Sequence, residues 1–181
     1  MKKKIAILGS TGSIGKSLLD IISLNKKDFE IVLLTANKDY KTLLKQSKKF
    51  NVKNLIITDK ECFKKINNKN KKIKIFNNFD KLNKIFKKKI DYVMNSIVGF
   101  DGLKPTLDII KFTNNLALAN KESIICGWNL IEKKLKKNRT DIIPVDSEHF
   151  SIWYAINNNH HKNIKPTSYL LILSIFQFGM Q

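Results

Sequence analysis

The residues that most constrain this chain run from Lys4 to Lys16, Lys-Ile-Ala-Ile-Leu-Gly-Ser-Thr-Gly-Ser-Ile-Gly-Lys. An apolar run of strand length ends in Gly9, Gly12 and Gly15, spaced by three, and Ile14, Leu18, Leu19, Ile21 and Ile22 then recur at helical intervals. That reads as strand, tight turn, helix. Glycine lets the backbone turn sharply and leaves room for a pyrophosphate to reach main-chain N–H groups at the positive end of the following helix. Gly15 is expected where helix and strand pack closely. The spacing is GxxGxxG rather than GxGxxG, a variant that fits the same mechanism, and the alternative is a tight βα turn with no ligand.

A chain of 181 residues can hold one nucleotide-binding domain and the beginning of a second. Its formal charge of +19 would ordinarily point to nucleic acid or an anionic membrane surface. The source of the charge argues otherwise. Of 34 basic residues only Arg139 is arginine, and lysine, asparagine and isoleucine, all with A/T-rich codons, make up 79 of the 181 residues. The lysines fall on expected helix surfaces and loops, such as Lys64-Lys65, Lys87-Lys88-Lys89 and Lys136-Lys137, without aromatics to stack bases or arginines to fork onto guanine. The charge is therefore read as nucleotide bias, with no specific nucleic-acid partner and with non-specific polyanion adhesion at low salt. Cys62 and Cys126 lie far apart without metal spacing, and no secretory leader precedes them, so a reducing cytoplasm is the expected location. The longest apolar run, Tyr169 to Phe178, is too short to span a membrane.

The chain alternates strands and helices. Phe29 to Ala36 is a continuous apolar run, as in a strand buried on both faces of a parallel sheet. A helix is expected over Tyr40 to Phe50, a strand at Asn54 to Thr58, a short helix near Lys60 to Lys65 and a weak strand at Ile73 to Phe76. Asp91 to Leu103 runs from a strand into a glycine-bearing loop, followed by a helix from Leu103 to Phe112, a strand at Asn115 to Ala119, a helix from Ile124 to Lys137 and a strand at Thr140 to Val145. This order gives an α/β, doubly wound, mostly parallel sheet, Rossmann-like, with loops at the carboxyl ends of the strands facing a ligand crevice.

Three clusters on that edge carry candidate chemistry. After the second strand stands Asn37-Lys38-Asp39, where an enzyme choosing NAD usually places a carboxylate on the ribose 2′-hydroxyl. Lys38 could instead meet a 2′-phosphate, which favours NADP, while Asp39 also suits the start of the next helix. Asn120-Lys121-Glu122-Ser123 offers an amide, a cation and a carboxylate at a strand end, with Asn120 as a helix cap the plainer alternative. Asp146 and Glu148 point the same way on extended backbone and could chelate a hard divalent cation, whereas on a helix they diverge by about 200°. Spacing alone favours a cap at Asp146 or Ser147 over the chelate. His149 is a lone histidine of the kind more often structural.

At these residues the chain resembles the 1-deoxy-D-xylulose 5-phosphate reductoisomerase family of the non-mevalonate isoprenoid pathway. The segments that carry the resemblance are GSTGSIG at 9–15, SIVGFDGL at 96–103, LALANKES at 116–123 and, above all, PVDSEH at 144–149. The resemblance runs from Lys4 to about Ile156 and implies NADPH contacts from Thr11, Gly12, Ser13 and Ile14, from Asn37, Lys38 and Asp39, and from Asn120 and Glu122. It implies that Lys121 and Ser147 touch a sugar phosphate substrate, that Asp146 and Glu148 are metal ligands for Mg²⁺, Mn²⁺ or Co²⁺, and that Lys121 and Glu148 serve catalysis. That reverses the preference for a cap at Asp146. The implied reaction is a metal-assisted rearrangement of 1-deoxy-D-xylulose 5-phosphate followed by hydride transfer from NADPH, giving 2-C-methyl-D-erythritol 4-phosphate; the family is homodimeric.

Two departures accompany the match. Asn37-Lys38-Asp39 stands where the family commonly has Gly-Lys-Asn, and from about Lys165 the sequence no longer resembles the family. Residues 1–143 are thus expected to form the NADPH-binding domain, 144–164 the start of an incomplete catalytic domain, and 165–181 a tail that reads as if out of frame. The family's phosphate loop, lid and third metal carboxylate are not in these 181 residues, so a truncated and inactive enzyme, or a nucleotide-binding remnant without turnover, is expected.

Overall fold

The computed structural model describes residues 1–66 and 72–145. Among these described residues seven strands form one sheet: β1 (Lys3–Leu8), β2 (Phe29–Ala36), β3 (Asn54–Ile57), β4 (Lys74–Phe76), β5 (Ile90–Asn95), β6 (Thr113–Leu118) and β7 (Asp141–Pro144). Their order is β4-β3-β2-β1-β5-β6-β7, and every neighbouring pair is parallel. The expected doubly wound sheet is thus present and parallel throughout. The helices are α1 (Ser13–Leu24), α2 (Tyr40–Phe50), α3 (Lys60–Lys65), α4 (Leu82–Ile85), α5 (Leu103–Ile109) and α6 (Lys121–Asn138).

The chain builds outward from β1 in one direction through β4, then returns to the other side of β1 and builds outward again through β7. Because parallel crossovers keep one hand, reversing direction puts the two sets of helices on opposite faces. The core divides accordingly. Ile5, Ile7, Leu34, Leu55 and Ile57 face Leu19 and Ile22 of α1 and Leu43 of α2, whereas Ala6, Leu8, Leu33 and Ile56 share a cluster with Leu82, Ile109, Ile124, Ile131 and Leu135. Alternate residues of β1 thus feed both layers, which explains why the central strands read as unbroken apolar runs.

Several elements differ from the sequence expectation. Helix α6 begins at Lys121 rather than Ile124, because the Asn120 side chain accepts a hydrogen bond from the Ser123 N–H at 2.7 Å and starts the helix three residues earlier. Helix α5 ends at Ile109, and Ile110–Phe112 tighten into a 3₁₀ turn. The short α4 was not expected; its Leu82 is buried and the neighbouring Phe79 and Phe86 belong to the same core layer. Of the apolar positions expected along α1, Leu19 and Ile22 are buried while Ile14 and Ile21 are 39% and 58% exposed, so the buried stripe is narrower than the pattern suggested.

Candidate nucleotide site

In a parallel sheet all carboxyl ends lie on one edge, and a crevice opens where the winding reverses. Here that point lies between β1 and β5. Gly9, the first residue past β1, has φ +78, and a Cβ there would come within 3.0 Å of the Ser96 carbonyl group at the end of β5. Only glycine combines that backbone conformation with that approach. The Ser96 hydroxyl donates to the Leu8 carbonyl at 2.8 Å and lies 3.2 Å from the Gly9 carbonyl, tying the two strand ends together.

The turn then presents the start of α1. Thr11 is half-buried, and Gly12, Ser13 and Ile14 are exposed. Gly12 is the N-cap and provides no side-chain cap, and no acidic residue stands in the first turn, so the positive end of α1 is left for an external anion. Gly15 is buried, and a Cβ on it would lie 2.6 Å from the Gly9 carbonyl oxygen and from Ser10 Cα. That is the close helix–strand approach expected from sequence. By contrast, a Cβ on Gly12 would meet only the Gly9 oxygen, at 3.4 Å. These features fit a diphosphate: a cradle of main-chain donors, a helix dipole, and no side chain between them.

The turn is anchored from behind by polar residues that sequence reasoning missed. Ser10, Thr35 and Gln46 are all buried. The Ser10 hydroxyl donates to Gln46 Oε1 at 2.8 Å, the Gln46 amide donates to the Ser10 carbonyl at 2.8 Å, and the Gly9 N–H donates to the Thr35 hydroxyl at 2.9 Å. A polar residue on an amphipathic helix ordinarily reads as solvent-facing. The available signal was that Gln46 lies three residues from the core residue Leu43, on one helix face.

At the end of β2, Asn37, Lys38 and Asp39 are all exposed. The Asn37 side-chain oxygen accepts from the Thr58 hydroxyl at 3.2 Å, and Asp39 caps α2 by accepting from the Thr42 N–H at 3.1 Å. Hydrogen bonding to Thr42, aided by the Lys16 and Lys45 charges, holds the Asp39 carboxyl below its ordinary value. Asp59, the N-cap of α3, is lowered chiefly by hydrogen bonding to Cys62, with Lys38 contributing by charge. Lys38 thus stands beside two carboxylates that are ionised at neutral pH, and Asp39 performs the helix-starting role that the sequence allowed.

At the end of β6, Asn120 is 2% exposed. Besides capping α6, its amide donates to the carbonyls of Ile97 and Gly99, so one side chain locks the loop after β5 to the start of α6. Next to it, Asn95 donates to the Thr106 hydroxyl at 2.7 Å and to the Gly102 carbonyl at 3.2 Å. Lys121 and Glu122 are exposed in the first turn of α6. The structure thus brings Thr11 to Ile14, Asn37 to Asp39 and Asn120 to Glu122 to one edge of the sheet. Asp146, Ser147 and Glu148 lie outside the described residues, as does His149; among the described residues no group of three or more His, Cys, Asp and Glu side chains could hold a metal ion.

Comparison with known proteins points in one direction. The family model for 1-deoxy-D-xylulose 5-phosphate reductoisomerase matches residues 5–127. The reductoisomerase of Pelagibacter ubique is 64% identical over 167 residues, covering 90% of this chain and 43% of that protein, and that of Clostridium novyi is 41% identical over 168 residues, covering 90% and 44%. Among solved structures, the Zymomonas mobilis reductoisomerase in complex with NADPH superposes with a TM-score of 0.74 at 33% identity, covering 82% of this chain and 40% of that one. A DOX-P reductoisomerase in complex with NADPH, fosmidomycin and magnesium superposes at 0.75 with 31% identity, covering 92% and 43%. The chain spans less than half the length of these relatives. The glycine turn at the switch point, the parallel sheet around it and a family match over more than half its residues together make this chain a member of the 1-deoxy-D-xylulose 5-phosphate reductoisomerase family.

Proposed function

We propose that this chain binds NADPH along the carboxyl edge of its sheet and carries the nucleotide-binding part of the reductoisomerase reaction, the conversion of 1-deoxy-D-xylulose 5-phosphate to 2-C-methyl-D-erythritol 4-phosphate. The observation that carries the reading is the exposed, uncapped start of α1 behind a left-handed Gly9 at the sheet's switch point. Thr11, Gly12, Ser13 and Ile14 would surround the pyrophosphate. Lys38, with Asn37 and Asp39 beside it, would meet the 2′-phosphate, which is a reason to expect NADPH rather than NADH. Asn120 and Glu122 would serve the nicotinamide half, Asn120 chiefly by fixing the loop after β5. Bound NADPH supplies the hydride.

Lys121, exposed at the start of α6, and Ser147 are the proposed contacts to the sugar phosphate. Asp146 and Glu148 are the proposed ligands of a divalent cation (Mg²⁺, Mn²⁺ or Co²⁺), on their match to the family's PVDSEH segment; such an ion supplies a Lewis acid and a template for vicinal oxygens. In this reading residues 1–143 form the nucleotide domain, 144–164 open the catalytic domain, 165–181 are a non-family tail, and the chain works in the cytoplasm without a specific nucleic-acid partner. Among the described residues no helix is long and apolar enough to cross a membrane.

The test has two readings from one sample. NADPH fluorescence should change saturably when the purified chain is added, and NADPH should then be oxidised if 1-deoxy-D-xylulose 5-phosphate and Mn²⁺ complete the site. Binding without oxidation assigns the chain a nucleotide-binding role alone. No binding by a folded chain rejects the proposal.

A further inference from the structure

Gln46 is 8% exposed on a helix face otherwise suited to an apolar side chain, a costly place for an amide unless both its ends are bonded. Both ends are bonded, and to a single residue 36 positions away: Oε1 accepts from the Ser10 hydroxyl and the amide nitrogen donates to the Ser10 carbonyl, each at 2.8 Å. The Ser10 N–H is already held by the Thr35 carbonyl at 2.9 Å, and the Ser10 hydroxyl lies 3.2 Å from the same oxygen. Ser10 is thus fixed by β2 through its N–H and by α2 through its carbonyl.

The second of these contacts reaches the ligand side of the turn. Across a planar trans peptide the carbonyl and the following N–H point in opposite directions, and the described chain contains no cis peptide. Drawing the Ser10 carbonyl toward α2 therefore turns the Thr11 N–H away from α2, immediately before the exposed run from Gly12 to Ile14. We propose that Gln46 is a positioning residue for the nucleotide turn: it sets the plane of the Ser10–Thr11 peptide so that the Thr11 N–H is presented to the diphosphate. The inference rests on the reading of the turn as an NADPH site. It also separates two contacts that look equivalent, because the carbonyl bond orients the peptide while the hydroxyl bond only holds the Ser10 side chain.

The experiment compares Gln46→Glu, Gln46→Leu and Ser10→Ala in the full chain, reading the ¹H–¹⁵N position of the Thr11 amide without nucleotide, NADPH affinity by fluorescence, and melting temperature. Glutamate keeps the shape but sets an acceptor against the Ser10 carbonyl; alanine at position 10 leaves that carbonyl bond in place. Both Gln46 variants should move the Thr11 resonance and weaken NADPH about tenfold, whereas Ser10→Ala should lower the melting temperature yet hold affinity within about twofold. Equal affinity losses in Ser10→Ala and Gln46→Glu, or a Thr11 amide unmoved in Gln46→Glu, overturn the proposal. A parent chain that binds no NADPH, together with a Thr11 amide that moves in Gln46→Glu, supports the positioning role and rejects the NADPH reading instead.

Discussion

Gly12 and Gly15 answer to different physical demands in the structure. A Cβ on Gly15 would lie 2.6 Å from the Gly9 oxygen, 2.6 Å from Ser10 Cα and 2.8 Å from the Ser10 carbonyl carbon. All three are backbone atoms that cannot swing aside, so α1 must lift off the end of β1. Overpacking of this kind costs about 1–3 kcal/mol, and rigid backbone neighbours place it at the upper end. Replacing a helical glycine by alanine returns up to about 1 kcal/mol of helix propensity, leaving Gly15→Ala a net loss of about 2 kcal/mol. In a chain of this size that lowers the melting temperature by about 4–8 °C. Gly12 has an ordinary φ of −74 and room for a methyl group, so Gly12→Ala should cost only the preference for glycine over alanine at an N-cap, about 0.5–1 kcal/mol. Its methyl would project where the diphosphate has to approach, and NADPH affinity should fall by about tenfold or more. Thermal unfolding and NADPH fluorescence titration of both variants check the pair. An unshifted melting temperature for Gly15→Ala would refute the packing argument, and undiminished NADPH binding by Gly12→Ala would refute the ligand's placement.

Lys38→Ala should narrow the preference for NADPH over NADH by about 10- to 100-fold, the worth of one charge-assisted contact to a 2′-phosphate, with NADH affinity nearly unchanged; titrations with the two nucleotides measure it. Asn120→Ala should destabilise the fold by about 2–4 kcal/mol in urea unfolding, since it removes the α6 cap and strands the carbonyls of Ile97 and Gly99. Because the folded Asp39 carboxyl is held below its ordinary 3.8, its contribution to stability is complete above that value and is lost as pH falls through the lower, folded one. Asp39→Asn, which can still cap α2, should therefore flatten the acid limb of the stability–pH curve below about pH 4 while changing stability little at pH 7.

The sequence was most informative where one physical demand dominates. Strands buried on both faces must be apolar throughout, so Phe29–Ala36 was legible to the residue, and the glycine turn announced itself because Gly9 and Gly15 answer to backbone geometry. Polar residues were harder to place. The helix was expected from Ile124, although a cap at Asn120 was the plainer alternative; Asn120 does supply that cap, and Lys121, Glu122 and Ser123 form the first turn of α6. Gln46 was invisible for a different reason: its value lies in a partner 36 residues away, which no local periodicity encodes. Asp39 was read as a possible nucleotide contact or a helix start, and the structure gives it the second role without removing it from the nucleotide edge.

All of this turns on whether the start of α1 receives a dinucleotide. The most direct measurement is a calorimetric titration of NADPH into the folded 181-residue chain, with its fold checked by circular dichroism. The account predicts one saturable site per chain that weakens as salt rises, as a diphosphate and 2′-phosphate site must. A fully folded chain that releases no binding heat with millimolar NADPH would contradict it.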